Sequence, residues 1–546
     1  MSASQQKKSR QEKKAAYMSE RARQEAKEAK KLKVYTTTFW IIMALCACIV
    51  LTTVLSNPVK NALYKKHVAI TVGEHELNAV QLNYYYIDAI NNYYSQYGSY
   101  LSYMGLNVNK PLDTQVYDST TGQTWADAFL TMAEGTIKST YALYDLALKN
   151  GYELSEEEEK SIDSTFSTLE LYAMYYGYSD VDSYLRVLYG NGASSESYRE
   201  YTRVALIAEN YYTEYADSLD YSNEDIRNYE SANNNEKYNN FSSLTYATYY
   251  LAYTKWTPSK DASGNTVTYT DEQKNEARAE AKKAAEMLAG GSYADLDAFD
   301  AAIKALEINK DATTGITCSR NEDILYTSIS NADFQKWLTE EGRKEGDMTV
   351  IENSTGEGDS KVINGYYVIR FGSIDENQFA LKNVRHILIG FEGGTYNSTT
   401  GTTTYTDAEK KAALEKAEKI YKEWQESGAS LEDFIDLAKE HSTDPGSKEE
   451  GGLYEDIYPG QMVAKFEEFC YDAERKPGDH AIIETTYGYH IMYFVGDSDI
   501  TFRDYMIKNT LINEHLEAWL DDLVENLQYK LVSDKYVNKD LILGTM

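Results

Sequence analysis

Apolar and polar positions change period along the chain, and each change predicts an element. Val34 to Val59 carries no charge, and its centre, Phe39-Trp40-Ile41-Ile42-Met43-Ala44-Leu45-Cys46-Ala47-Cys48-Ile49-Val50-Leu51, is apolar on every face. A run of that length predicts a bilayer-crossing helix, with Trp40 as an interfacial anchor. Val68-Ala69-Ile70-Thr71-Val72-Gly73 predicts a strand, followed by a Tyr-rich helix. Ala413, Ala417, Ile420 and Trp424 recur at steps of 4, 3 and 4, one face of a helix. Leu511, His515, Trp519 and Leu523 recur at steps of 4 within Phe502–Leu531, also helical spacing.

The pattern also repeats. Thr268-Tyr269-Thr270-Asp271 returns as Thr404-Tyr405-Thr406-Asp407, 136 positions later, each opening an Ala-rich helical segment. Phe334, Arg343-Lys344-Glu345-Gly346-Asp347 and Ile351-Glu352 return 132 positions later as Phe466, Arg475-Lys476-Pro477-Gly478-Asp479 and Ile483-Glu484. Gly365-Tyr366-Tyr367-Val368-Ile369 matches Gly488-Tyr489-His490-Ile491-Met492. Three ordered matches predict two copies of a small α+β unit, over 244–375 and 381–497. Their offsets set Tyr250 opposite His386 and Tyr367 opposite His490. A single strand histidine is ordinary core, but two that are both replaced in the sister copy point to a site in the second.

Acids outnumber bases 86 to 54, for a formal net charge of −32. This excludes nucleic acid as the partner of the bulk of the chain, since phosphate contacts need clustered cations. Residues 1–33 run the other way, with eleven Lys and Arg against four Glu. The positive-inside rule then places 1–33 in the cytoplasm as a basic tail, 34–57 as a single-pass membrane anchor, and the rest outside. Leu45-Cys46-Ala47-Cys48 only faintly resembles a lipoprotein cleavage box. Cys46 and Cys48 fall in the anchor, and Cys318 and Cys470 are too isolated for a disulfide framework. The chain has no HExxH, paired CxxC, Walker loop or GxSxG, so metalloprotease, NTPase and serine-hydrolase readings are disfavoured.

The second copy contains Val384-Arg385-His386-Ile387-Leu388-Ile389, Phe434-Ile435-Asp436-Leu437-Ala438-Lys439-Glu440-His441-Ser442-Thr443-Asp444, Gly451-Gly452, Gly460-Gln461-Met462-Val463, Phe466 and Tyr487-Gly488-Tyr489-His490-Ile491. On these residues 381–497 resembles the parvulin (PpiC-type) peptidyl-prolyl cis-trans isomerases. The wider layout resembles the extracytoplasmic foldases SurA, PrsA and PpiD. The resemblance implies an α+β fold: a helical SurA-like chaperone domain over 58–243, a degenerate parvulin-like domain over 244–375, the isomerase domain over 381–497, and a C-terminal helix in 498–546 docking on the chaperone domain. It implies His386, Asp444, His490 and Thr485 as the catalytic group, and Met462, Phe466, Gln461 and Tyr487 as substrate-binding residues. No cofactor or metal is implied. Implied partners are unfolded or partly folded exported proteins with X–Pro bonds. Leu453-Tyr454-Glu455-Asp456-Ile457 departs from the family's Asp-Leu-Gly. The loop Phe391–Thr406 has no Lys or Arg, which argues against phosphate recognition. Tyr84, Tyr85, Tyr86, Tyr93, Tyr94, Tyr97 and Tyr100, with Tyr172, Tyr175, Tyr176 and Tyr178, are read as a client cradle in part and as core for the remainder. A holdase in which both parvulin-like domains only bind clients is the alternative to an enzyme.

Overall fold

The computed structural model describes residues 58–233, 240–257, 260–261, 263–310, 316–356, 358–397 and 401–545. The expected basic tail and membrane anchor, with Cys46 and Cys48, lie outside these residues. Among the described residues no helix is long and apolar enough to cross a membrane. The fold mixes helix and sheet and divides into two compact units, one of residues up to 220 together with 514–546, the other of 221–513.

In the first unit, strands β1 (Val68–Val72) and β2 (His75–Asn78) lead into helix α1 (Ala79–Tyr97). Asn78 caps α1: its side chain accepts from the Val80 and Gln81 amides while Gln81 reaches back to the Asn78 amide, satisfying donors that a helix start leaves orphaned. Helices α2 (Trp125–Lys149), α3 (Glu156–Tyr175), α4 (Val181–Tyr189) and α5 (Ser195–Ser218) complete the helical part. α1 lies in the core of this unit, and Tyr84, Tyr85 and Tyr86 are buried in succession. These three are therefore not cradle residues. Tyr94, Tyr100, Tyr172, Tyr175 and Tyr176 are exposed.

The C-terminal chain belongs to this unit and contributes more than a helix. Strand Tyr529–Leu531 pairs antiparallel with β1, Ile70 opposite Leu531. The buried Asn83 side chain donates to the Tyr536 carbonyl (2.8 Å) and accepts from the Asn538 amide (3.1 Å). Of the predicted helical face, His515 hydrogen-bonds the Tyr215 hydroxyl (2.9 Å), and the Trp519 ring lies 4.0 Å from that of Tyr215.

The second unit contains two four-stranded antiparallel sheets. The first comprises β3 (Ser243–Ala252), β4 (Ser319–Leu325), β5 (Met348–Thr355) and β6 (Val362–Asp375), in the order β4-β3-β6-β5. The second comprises β7 (Ala380–Gly390), β8 (Leu453–Ile457), β9 (His480–Glu484) and β10 (Gly488–Thr501), in the matching order β8-β7-β10-β9. Strand alternation sorts the second sheet's side chains. Ile387, Ile389 and Ile491 face helices α6 (Asp407–Glu426) and α7 (Leu431–His441), burying Ala413, Ala417, Ile420, Trp424, Phe434 and Ala438. On the opposite face Val384, Met492 and Phe494 pack on Phe466, Phe469 and Cys470 of helix α8 (Ala464–Cys470). His386 and His490 alternate onto that second face. Cys318 and Cys470 are buried free thiols.

The register corrects one expectation. His386 pairs with Met492 and Leu388 with His490; in the first sheet Thr248 pairs with Ile369 and Tyr250 with Tyr367. Thr248 thus holds the position of His386, and Tyr250 that of Leu388. The sequence offset was wrong by two residues, one pleat, so the side chain stays on the same face.

Candidate active site

His386 and His490 come from the two central strands of the second sheet and are nearly fully buried. Their rings stack 5.1 Å apart at 17°, with Nδ1 to Nδ1 at 2.9 Å. His386 Nε2 lies 2.8 Å from Asp444 Oδ2, and Thr485 Oγ1 lies 2.8 Å from His490 Nε2. All four expected catalytic residues are therefore in one hydrogen-bonded chain.

The chain has a direction. An ionised carboxylate only accepts, so His386 Nε2–H donates to Asp444. With His490 Nδ1–H as donor, His386 Nδ1 accepts, and His490 Nε2 accepts from the Thr485 hydroxyl. Thr485 in turn accepts from the Tyr487 amide at 3.1 Å. Burial, reinforced by His386 and opposed by Asp444, pushes the His490 imidazole down to about 3. The His386 hydrogen bond, with help from Ser447, holds the Asp444 carboxyl well below the usual carboxylate range against its burial.

Two contributors were not predicted. Ser447, fully buried, donates to Asp444 Oδ2 (2.5 Å) and lies 3.0 Å from His386 Nε2. Tyr454 donates its phenol to the same Oδ2 at 3.1 Å, and burial beside that charge pushes it up to about 12. The only signal for Ser447 was the turn-like Asp-Pro-Gly-Ser run. The double glycine has a steric cause: Gly452 sits at φ +76°, and a Cβ there would stand 2.1 Å from the His386 carbonyl oxygen. Only glycine lets β8 approach β7 at His386. Arg385 clamps the same turn by donating to the Glu450 and Gly451 carbonyls.

Above the histidines opens a cavity of about 670 Å³, walled by Leu388, Tyr454, Met462, Val463 and Phe466. Gln461 and Tyr487 also line it; both are exposed, and Thr485 lies beneath, touching His490. Phe466 meets His386 and His490 edge-on at 5.3 and 5.6 Å. The charged residues lining the cavity are Glu392 and Asp444, so a phosphorylated side chain finds no cation there.

The profile of the family described as PPIC-type PPIASE domain matches residues 366–497. Residues 366–497 are a PPIC-type PPIase domain. The match starts inside β6 and runs through the second sheet to residue 497, inside β10. Foldase protein PrsA 3 of Bacillus anthracis is 33% identical over 128 residues, 23% of this chain and 44% of that protein. Foldase protein PrsA 4 of Bacillus cereus is 28% identical over 264 residues, 40% of this chain and 89% of that protein. The crystal structure of PrsA from Bacillus subtilis is 16% identical, covering 74% of this chain and 86% of that one, with a TM-score of 0.24. The chain spans less than half the length of the first of these relatives.

Against the PPIC-type site, the first sheet shows what has changed. Tyr367 holds the position of His490 and Tyr250 that of Leu388; their rings lie 4.5 Å apart, tilted by 35°, and Phe334 meets Tyr367 edge-on at 5.1 Å, as Phe466 meets His490. Ser330 stands at the place of Met462 by the 132-residue offset. The strand order is kept, and Thr248 and Tyr367 stand in place of the histidine pair.

Proposed function

We propose that the chain is a membrane-anchored, extracytoplasmic peptidyl-prolyl cis-trans isomerase and chaperone for exported proteins. The observation that carries this reading is the one-way chain Thr485–His490–His386–Asp444 beneath an apolar cavity. Rotation about X–Pro faces a barrier of roughly 18–20 kcal/mol from amide resonance. A catalyst need only bind the twisted amide better than the planar one. Met462, Val463 and Phe466 would hold the proline ring and exclude water. The twisted amide, with less charge separation, gains relative to the planar form in such a site. The histidine pair would fix the hydrogen bonding at the floor. No covalent step is required. Thr248 and Tyr367 in place of the histidine pair favour a binding-only role for that copy.

Full-length protein in detergent should accelerate cis–trans exchange of a short X–Pro peptide. A folded protein with no acceleration would leave the binding-only reading in its place.

The chaperone part rests on the exposed end of α3, where Leu171, Tyr172, Met174, Tyr175 and Tyr176 are all open to solvent, Tyr175 at 81%. Apolar side chains clustered this way form a contact surface that tolerates many client sequences. Replacing Tyr172, Tyr175 and Tyr176 with Ser should weaken suppression of client aggregation and leave peptide isomerisation unchanged. Loss of both activities in a folded variant would rule out separate modules.

Anchoring rests on the charge-free run and the basic tail. Protease added to intact cells should remove the chain beyond residue 57 and spare 1–33. A mature protein beginning at Cys48 would overturn the uncleaved span.

A further inference from the structure

Asp444 Oδ2 has three donors: His386 Nε2–H at 2.8 Å, Ser447 Oγ–H at 2.5 Å and the Tyr454 phenol at 3.1 Å. Oδ1 accepts the Gly446 amide at 3.2 Å. Tyr454 stands in the stretch that departs from the family's Asp-Leu-Gly. It reaches Oδ2 past Gly446, where a Cβ would lie 2.9 Å from the phenol oxygen and meet nothing else closer than Asp444 Oδ1 at 3.5 Å. Gly446 lies outside the left-handed region, so its lack of a side chain serves the phenol's approach and not the turn. The titratable groups facing Asp444 are His386 on β7, with His490 behind it, and Tyr454 on β8; Glu392 lines the same cavity.

We propose that Tyr454 is a positioning residue of this site: through a gap kept open by Gly446, its phenol fixes the Asp444 carboxylate that orients His386, while its ring walls the cavity. The proposal rests on the isomerase reading. With Oδ2 occupied three ways, Asp444 acts as an anchor for the His386 tautomer and is not free to attack substrate. Ring and hydroxyl are separable: Tyr454→Phe keeps the wall and removes only the donor.

The test is a double-mutant cycle in the full-length protein, labelled with ¹⁵N-histidine; the chain has 7 His, and a His386→Gln variant identifies the His386 signals. Tyr454→Phe should lower kcat for an X–Pro peptide by roughly three- to tenfold, the scale of one hydrogen bond, with KM little changed. It should also move the His386 Nε2–H resonance downfield, because fewer donors compete for Oδ2. Gly446→Ala should have a similar effect on kcat and add little on top of Tyr454→Phe. An unmoved His386 resonance, or a Gly446→Ala effect of equal size in both backgrounds, overturns the proposal. If the wild-type chain has no isomerase activity, the functional reading falls, and the resonance shift still decides whether Tyr454 positions Asp444.

Discussion

Met462→Ala combined with Phe466→Leu is expected to lower kcat/KM for an X–Pro peptide by roughly ten- to hundredfold, from the apolar contact each change removes. The structure dictates leucine at 466. Phe466 is 2% exposed and belongs to the core formed with Val384, Ile457, Phe469, Met492 and Phe494. Alanine there would open a core cavity costing about 3–5 kcal/mol and confuse unfolding with lost catalysis. Met462 is only partly buried, so its truncation tests the pocket alone. The measurement is coupled peptide isomerisation beside an aggregation assay with a proline-free client. Suppression of that client's aggregation should persist. If both activities fell together in a folded double variant, catalysis and holding would share one site.

His490→Ala is expected to destabilise the second sheet by about 3–5 kcal/mol, combining a buried cavity with hydrogen-bonding groups left unpaired on His386 and Thr485. It should also flatten the sheet's acid sensitivity. The His490 imidazole sits near 3 in the fold against an ordinary value of 6.5. Between those values the unfolded chain holds a proton that the folded one lacks, so stability rises with pH across that window and levels off above it. Hydrogen exchange of the β7 and β10 amides, followed from pH 3 to 7, reports local opening of this sheet. An unchanged pH slope in the variant would mean that another group carries it.

The elements of the second sheet were legible because each follows from a local rule. The 4-3-4 spacing of α6 and the apolar run of β7 set what faces inward, and the motif residues named the histidine pair, Asp444, Thr485 and the pocket. Ser447 was not legible: three residues from Asp444, it reaches both Asp444 and His386 only because the turn folds back under Gly451-Gly452. Tyr454 showed as a departure from the family pattern but not as a hydrogen-bond donor. The Tyr250 offset failed because loops of different length separate the copies, and only strand register settles which residues are equivalent. Tyr84, Tyr85 and Tyr86 gave no periodic signal, since three consecutive tyrosines cover most of a helix's circumference. Burial of all three follows from α1 being packed by α2, α4 and α5.

The strand Tyr529–Leu531 and the tail behind it have a consequence for synthesis. The first unit closes only through contacts such as Asn83 with Tyr536, 453 positions apart in the chain. A domain whose two parts flank residues 221–513 cannot complete its core until residues 514–546 have been made. Residues 221–513 are whole before then. If the chain is exported as it is made, the later-encoded unit can fold first, and the first-encoded unit waits with β1 unpaired on one side and its aromatic helix incompletely covered. The exposed aromatic surface of that unit thus matures after the second unit, and loss of residues 514–546 would strike it before it touched the second sheet.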